Sequence, residues 1–434
     1  MHDIPESAAP SSTAPPAAAP LAAGTRPVAA ADAASAIAGA GDAGPAARSP
    51  FVRLGDLLAG IAPGRPPLSL AVGEPQHAMP GFVGEVLAAN IAGFGRYPAG
   101  KGTAEFRTAV ADWFGRRYRL PRPLDPEAEV LVLNGSREGL FAAAILARRL
   151  APAAKQAAPT VLLPNPFYAA YGAGAEAAGC ASVPLPLPRS GGWLPDLEAL
   201  TPELLGPAVA LYLASPANPQ GTIAGRDYLA RLVELTRAHG VMLFADECYS
   251  EIWLGEAPPT GVLEVAGGDF AGVVAFNSLS KRSSLPGLRC GFCAGDAAFL
   301  RAFADFRNVA APQVPEPIQA VGIAALADEG HVLASRELYR AKFDLADRLL
   351  GGRFGYQRPD GGFFLWLDVA ALGGGEAVAR RLWEREGLRT VPGGYLCRSD
   401  ADGRNPGSDY LRVALVHDLA TTEAALARLV AGLA

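Results

Sequence analysis

From about residue 129 the chain alternates short, continuous apolar runs with amphipathic stretches of helical period. The runs 129–133, 160–163, 208–213, 241–245, 272–276 and 290–294 predict strands, and 137–150, 226–238 and 317–350 predict helices. Strands without a polar face must be covered on both sides, so these elements predict an α/β layer on a mostly parallel sheet. Beyond the long helix the pattern changes. Segments 363–367 and 410–415 read as strands of a smaller α+β unit, covered by helices 376–386 and 421–434, with segment 51–73 packed against it. The expected organisation is an arm at 49–80 joining the small domain, a large domain at 81–315, and a linking helix plus small domain at 316–434. There are no internal repeats.

The opening 48 residues are of another kind. Ser11-Ser12-Thr13-Ala14-Pro15-Pro16 and segment 29–44 are rich in Ala, Pro, Gly and Ser and almost free of large apolar side chains. Such a composition cannot bury enough surface to offset its ordering entropy, which predicts a disordered head. The head also lacks the basic start and compact apolar core of a signal peptide. No apolar stretch is long enough to span a bilayer, and a cytoplasmic location is expected.

Composition narrows the classes further. With 434 residues and 50% hydrophobic content, the chain can bury one large or two medium cores. A net charge of -5 and a pI near 5.7 leave no electrostatic footprint for nucleic acid. The five cysteines (Cys180, Cys248, Cys290, Cys293 and Cys397) are scattered. Cys290 and Cys293 form a CxxC, but within a predicted buried strand and with no second CxxC to complete a zinc site. Small buried thiols are expected, and the five histidines show no ligand spacing, so no metal is expected.

Candidate chemistry collects where strands end, the edge at which ligands bind in such sheets. Lys281 lies just past the run 272–276, among Ser278, Ser280, Ser283 and Ser284. A partly desolvated amine has a lowered pKa and can form a Schiff base with a carbonyl. Arg289 follows as a fixed positive charge, and the lysine, serines and arginine together suggest a covalent cofactor that carries a phosphate. Gly135-Ser136-Arg137 open a helix whose free N–H groups suit a phosphate, although such a start alone is an ordinary cap. Tyr168, after Asn165-Pro166-Phe167, can stack on a planar ring. Asn218, in the turn Ser215-Pro216-Ala217-Asn218-Pro219-Gln220-Gly221, can donate to a phenolate-type oxygen. Asp246 can pair with a ring nitrogen and keep it protonated, with Tyr249 three residues on. Glu247 and Cys248 read as structural.

Asn218-Pro-Gln-Gly, Asp246-x-x-Tyr249, Ser278-x-Ser280-Lys281 with Arg289, and the later Arg412 resemble, in this order, the pyridoxal 5'-phosphate-dependent aminotransferases of fold type I, the aspartate aminotransferase-like class I/II group. The resemblance covers roughly residues 50–434 and implies the PLP-dependent transferase fold. It implies that Lys281 holds the cofactor covalently and shuttles protons, that Asp246 pairs with the pyridinium nitrogen, and that Tyr249 and Asn218 bond the phenolic oxygen. Ser136, Arg137, Ser278 and Arg289 would hold the phosphate, with Ser280 nearby, and Tyr168 would stack on the ring. Arg412 would clamp the substrate α-carboxylate as a bidentate fork. Gly73, in Ala71-Val72-Gly73-Glu74-Pro75, resembles the loop over the substrate, which Asn218 also borders. Tyr97, in Arg96-Tyr97-Pro98-Ala99-Gly100, resembles the tyrosine that reaches a neighbouring subunit's phosphate, which implies a homodimer with shared active sites.

Fold and cofactor leave the substrate open. Segments 278–292, 134–141 and 163–168 resemble those of bacterial N-succinyldiaminopimelate aminotransferases. That implies glutamate as amino donor, N-succinyl-2-amino-6-ketopimelate as acceptor, and a place in diaminopimelate and lysine biosynthesis. Arg282, Arg96, Lys101 and Arg398 are candidates for further carboxylate contacts. The alternatives are another class I/II aminotransferase acting on aspartate, alanine or aromatic amino acids, a lyase using the same cofactor, and a cofactor-sensing regulator. The last needs a helix-turn-helix head, a pattern the Ala/Pro-rich head lacks.

Overall fold

The computed structural model describes residues 48–434 apart from Ala401. The segment read as a disordered head therefore lies, except for Arg48, outside the described residues. Among the described residues twelve strands follow one another: β1 (Leu68–Ser69), β2 (Val130–Leu133), β3 (Thr160–Asn165), β4 (Ala181–Pro186), β5 (Ala208–Ala214), β6 (Met242–Asp246), β7 (Val273–Ser278), β8 (Gly291–Gly295), β9 (Phe364–Asp368), β10 (Leu388–Arg389), β11 (Val391–Pro392) and β12 (Tyr410–Ala414).

Seven of them form one sheet in the order β2-β8-β7-β6-β5-β3-β4. All run parallel except β8, which is antiparallel to both its neighbours. The period of two along each strand sends side chains to opposite faces. On β7, Val273 and Ala275 enter one core, while Val274 and Phe276 enter another. The first core takes Phe106, Val110 and Trp113 from the helix Ala104–Arg117 and Leu229 and Leu232 from Arg226–Ala238. The second takes Leu140 and Leu146 from the helix Ser136–Leu150 and Phe299 and Phe303 from Ala297–Ala310. Each such Leu or Phe, fully buried, stabilises the layer by roughly 1.5–3 kcal/mol. Cys290 and Cys293 are buried free thiols in the two different cores, so they face away from each other.

A smaller antiparallel sheet, β11-β12-β9, lies under the helices Gly330–Leu350, Gly374–Glu386 and Leu419–Leu433, with its own core of Phe343, Leu365, Leu382, Val413 and Leu426. The arm joins it: β1 pairs in parallel with β10, and Leu54, Leu58 and Ala71 pack with Val391 and Tyr395.

Besides the two-residue strands β1, β10 and β11, which the sequence reading did not include, two elements depart from it. β4 is not among the predicted strands. It is the sheet edge, half exposed and carrying Pro184 and Pro186, which an edge strand tolerates because one side needs no ladder bonds. The helix expected at 317–350 is two, Glu316–Ala327 and Gly330–Leu350. Asp328 breaks it. Its backbone is extended (φ -101°, ψ 116°) and its carboxylate accepts the N–H groups of Gly330 at 3.0 Å and His331 at 3.3 Å. An aspartate offering such a cap competes with helix continuation even where the apolar period runs through. No helix among the described residues is long and apolar enough to cross a membrane.

Candidate active site

The parallel strands of the large sheet end along one edge, and a cavity of about 1070 Å³ opens over it. Every predicted site residue lines this cavity except Tyr97, which is 99% exposed and lies away from it.

Asp246 is the last residue of β6 and is buried. Its Oδ2 accepts the Tyr171 hydroxyl at 2.6 Å, and its Oδ1 accepts the Cys248 N–H at 3.2 Å. Burial pushes its pKa up against these two donors. Neither partner is charged, so the carboxylate is the complement of a protonated ring nitrogen. Tyr171 is absent from the sequence reading. It sits one helical turn after Tyr168 on Ala169–Ala177, and that spacing was the available signal. Glu247 turns away, accepting the Tyr118 hydroxyl at 3.0 Å and the Val262 N–H at 2.6 Å, and burial raises it to about 7.

Lys281 lies on the single helical turn Leu279–Arg282 that directly follows β7. Burial lowers its amine to about 8, and Nζ donates to the Gly73 carbonyl. An ordinary lysine titrates near 10.4, so this amine has a far larger neutral, nucleophilic fraction near pH 7. Ser278 caps the same turn: its hydroxyl accepts the Ser280 N–H at 3.1 Å and meets Ser280 Oγ at 2.9 Å.

Donors converge beside this turn. The helix Ser136–Leu150 starts after Gly135, whose φ is +74°. A Cβ at Gly135 would stand 2.2 Å from Nη2 of Arg289, so glycine is what lets the guanidinium reach this helix N-terminus. Arg289 itself holds φ +55° and donates from Nη1 to the Pro286 carbonyl at 2.9 Å. Arg137 donates from Nε to the Tyr168 hydroxyl oxygen at 2.5 Å. Serine hydroxyls, two guanidiniums and free helix N–H groups form a set suited to a phosphate dianion.

At the other end Arg412 rises from β12. Nη1 donates to Asn218 Oδ1 at 3.2 Å and Nη2 to the Ala71 carbonyl at 2.8 Å, while Nε is buried without a partner. The Phe364 ring lies 4.6 Å below it, and burial lowers its pKa to about 10. Tyr249 is packed edge-on against Phe363 at 5.2 Å, and burial holds its hydroxyl protonated.

Of the four additional cationic candidates, only Arg398 lines the cavity, again with Nε unpartnered. Arg282 does not. As the next residue in a helical turn it is rotated about 100° from Lys281, and it is buried against Glu329 and the Ala325 carbonyl. Lys101 pairs with Glu127 at 2.9 Å, and Arg96 lies 3.9 Å from Glu316, both outside the cavity. Trp193 and the arm residue Arg53 also line the wall with no motif to mark them, as does Gln220, which lies in the Asn218-Pro-Gln-Gly motif without an assigned role.

A buried carboxylate, a reactive amine and a phosphate cradle along one cavity fit pyridoxal 5'-phosphate. The comparisons agree. The family model "Aminotransferase class I and II" matches residues 65–429. An LL-diaminopimelate aminotransferase of Desulforudis audaxviator is 33% identical over 353 residues, covering 80% of this chain and 87% of that protein. An aminotransferase structure from Neisseria meningitidis superposes with a TM-score of 0.82 at 35% identity, covering 88% of this chain and 97% of that one. A probable N-succinyldiaminopimelate aminotransferase from Thermus thermophilus gives 0.76 at 26% identity, covering 88% and 100%. The chain therefore has the aspartate aminotransferase-like fold and belongs to the class I and II aminotransferases, enzymes that use pyridoxal 5'-phosphate to exchange amino groups between amino acids and keto acids.

Proposed function

We propose that the enzyme is a succinyldiaminopimelate transaminase. It moves an amino group from glutamate to N-succinyl-2-amino-6-ketopimelate, giving N-succinyl-LL-diaminopimelate and 2-oxoglutarate on the way to diaminopimelate and lysine. The observation that carries this reading is a surplus of guanidinium groups. Arg412 suffices for one α-carboxylate, yet Arg398 and Arg53 line the same cavity, and a substrate with several carboxylates calls for such charge. The resemblance over 278–292 and the name of the Thermus relative support it. A second reading, action on free LL-diaminopimelate, is favoured by the name of the Desulforudis relative. Amino transfer to 2-oxoglutarate from each of the two diamino acids separates them. The first reading expects kcat/KM at least about tenfold higher for the succinylated donor; the reverse order supports the second.

When bound, the cofactor supplies an electron sink for the pair left behind by the α-proton. The chain does the rest. Ser136, Arg137, Ser278 and Arg289 would hold the phosphate, with Ser280 nearby, and Tyr168 would stack on the ring. Asn218 and Tyr249 donate to the phenolic oxygen. Ionised Asp246 would bond the ring N–H and keep that nitrogen charged, and Tyr171 holds the carboxylate in place. The freed amine of Lys281 takes the substrate α-proton and later returns it, and its lowered pKa brings that exchange near neutrality. Arg412 would fix the α-carboxylate, with Gly73 lining the same cavity.

The chain is further proposed to act as a cytoplasmic homodimer with an arm at 49–80, a large lobe at 81–315 and a small lobe at 316–434. Tyr97 is 99% exposed beside Ile91 at 62% and Phe94 at 51%, and Gly93 and Gly100 of the same segment pack on Pro317 and Asn308. Val309, next to Asn308, is 89% exposed. An apolar patch of this kind suits a subunit interface. Light scattering should give the dimer mass, and a fully active monomer would sink the shared-site reading.

A further inference from the structure

A second, smaller chamber of about 200 Å³ adjoins the main cavity, and the two share Trp193, Gln220 and Phe364 as a common wall. Gln220 is 7% exposed, and neither its Oε1 nor its Nε2 has a hydrogen-bond partner. A buried amide with both ends unsatisfied is costly unless something else supplies a donor and an acceptor. Its neighbours on the chain are fixed. The turn that carries it is tied to the loop 359–361, with the Gly361 N–H donating to the Gly221 carbonyl at 2.9 Å. Gln220 is therefore held in the partition between the two spaces.

The rest of the chamber has a consistent chemistry. Trp366 and Tyr410 stack at 4.9 Å and 4°, and Trp193 stands edge-on to Tyr410 at 5.6 Å. Trp193 adopts φ +63°, a left-handed conformation that a bulky residue holds only where its surroundings enforce it. Arg189 sits at the chamber's edge. Its Nη2 donates to the Gly355 carbonyl at 3.1 Å, and its nearest carboxylate, Asp368, is 3.9 Å away, which leaves most of its N–H groups free. The other charged groups are engaged: Arg358 with Asp344 and Asp347, and Asp360 with the Ile223 N–H at 3.2 Å.

We propose that this chamber receives the N-acyl arm of the substrate, with Gln220 Nε2 donating to the C=O of the arm's amide, the Trp193–Tyr410–Trp366 wall holding its methylenes, and Arg189 meeting its terminal carboxylate. The inference rests on the succinylated-substrate reading above and deepens it. The carbonyl of the arm's amide supplies the acceptor that Nε2 lacks; the N–H of a trans amide points the other way, so one side chain meets one of the two. A free ammonium, as in unacylated diaminopimelate, offers donors only and would leave Nε2 unpaired.

The test uses holoenzyme and three acceptors: N-succinyl-2-amino-6-ketopimelate, its N-acetyl counterpart and 2-oxoglutarate. Gln220→Met keeps the length and removes both hydrogen-bonding atoms. It should lower the ratio of kcat/KM for the succinylated acceptor over 2-oxoglutarate by roughly 10- to 100-fold, chiefly through KM. Gln220→Glu, which retains shape but only accepts, should lower the same ratio and guards against a methionine variant that fails to fold. Arg189→Gln should lower the succinyl-over-acetyl ratio by about tenfold. Unchanged ratios in both Gln220 variants would overturn the proposal. If the wild-type enzyme turns over neither acylated acceptor, the substrate reading falls, and the chamber is judged by binding alone. In that case N-succinylglycine should quench tryptophan fluorescence, and Gln220→Met should weaken the binding at least about tenfold; no quench, or an unaltered one, overturns the chamber as well.

Discussion

The two ends of the cavity differ in how their polar groups are satisfied. At the Lys281 end the chain supplies partners to the side chains at the strand ends, leaving open only the donors of the phosphate cradle. Asp246 has Tyr171 and Cys248, Ser278 has Ser280, and Lys281 has the Gly73 carbonyl. At the Arg412 end, Nε of Arg412, Nε of Arg398 and both atoms of the Gln220 amide have none. A site whose polar groups are already oriented by the protein is preorganised for one constant ligand, the cofactor. Unspent donors at the other end are the mark of a place where the partner arrives with the substrate. The same contrast separates what the family shares from what distinguishes its members.

Substitutions at the two ends should therefore fail differently. Lys281→Ala should cost roughly 10⁴-fold or more in turnover and remove the visible absorbance of the lysine-bound cofactor; retention of both would break the assignment of the cofactor end. Asp246→Asn keeps the shape but not the charge, and kcat should fall roughly 10²- to 10³-fold with little change in substrate KM. Arg412→Ala should raise the amino-acid KM about 10²-fold and leave the cofactor spectrum intact. A spectral change there would mean the two ends are not separable.

Smaller effects sharpen the picture. Tyr171→Phe removes a donor to the Asp246 carboxylate, whose pKa burial already raises. The ionised form loses support, so the pKa moves further up. Activity should fall about tenfold at neutral pH, and the acidic limb of the kcat/KM profile should shift to higher pH. Lys281 reacts as the neutral amine, and burial lowers it to about 8. Uptake of the cofactor by cofactor-free enzyme should therefore rise about tenfold from pH 7 to pH 9 and then level. A rise that continues toward pH 10 would mean that the amine is not desolvated.

The clustering of residues at the proposed cofactor end was legible because most of them follow a buried strand, where sequence order fixes spatial order. Asp246 closes β6 and Lys281 follows β7 within one turn. The substrate end was not, because proximity there comes from packing. Arg282 neighbours Lys281 in the chain yet faces Glu329, while Gln220 reaches the partition from a turn and Trp193 from a loop far away in sequence. Tyr171 lay in between: the helical spacing from Tyr168 was visible, but its partner Asp246 lies 75 residues on. In the fold, the apolar runs revealed six central strands. They hid β4, whose prolines and half-exposed positions erase the pattern, and the break at Asp328, where a cap overrides an unbroken apolar period.

The most direct test of the central claim is a half-reaction screen. Enzyme first loaded with an amino group from glutamate is mixed with a panel of keto acids while the cofactor absorbance is followed. The account predicts that N-succinyl-2-amino-6-ketopimelate restores the original spectrum fastest, by at least about tenfold over oxaloacetate and aromatic keto acids. A preference for oxaloacetate or an aromatic keto acid would contradict it.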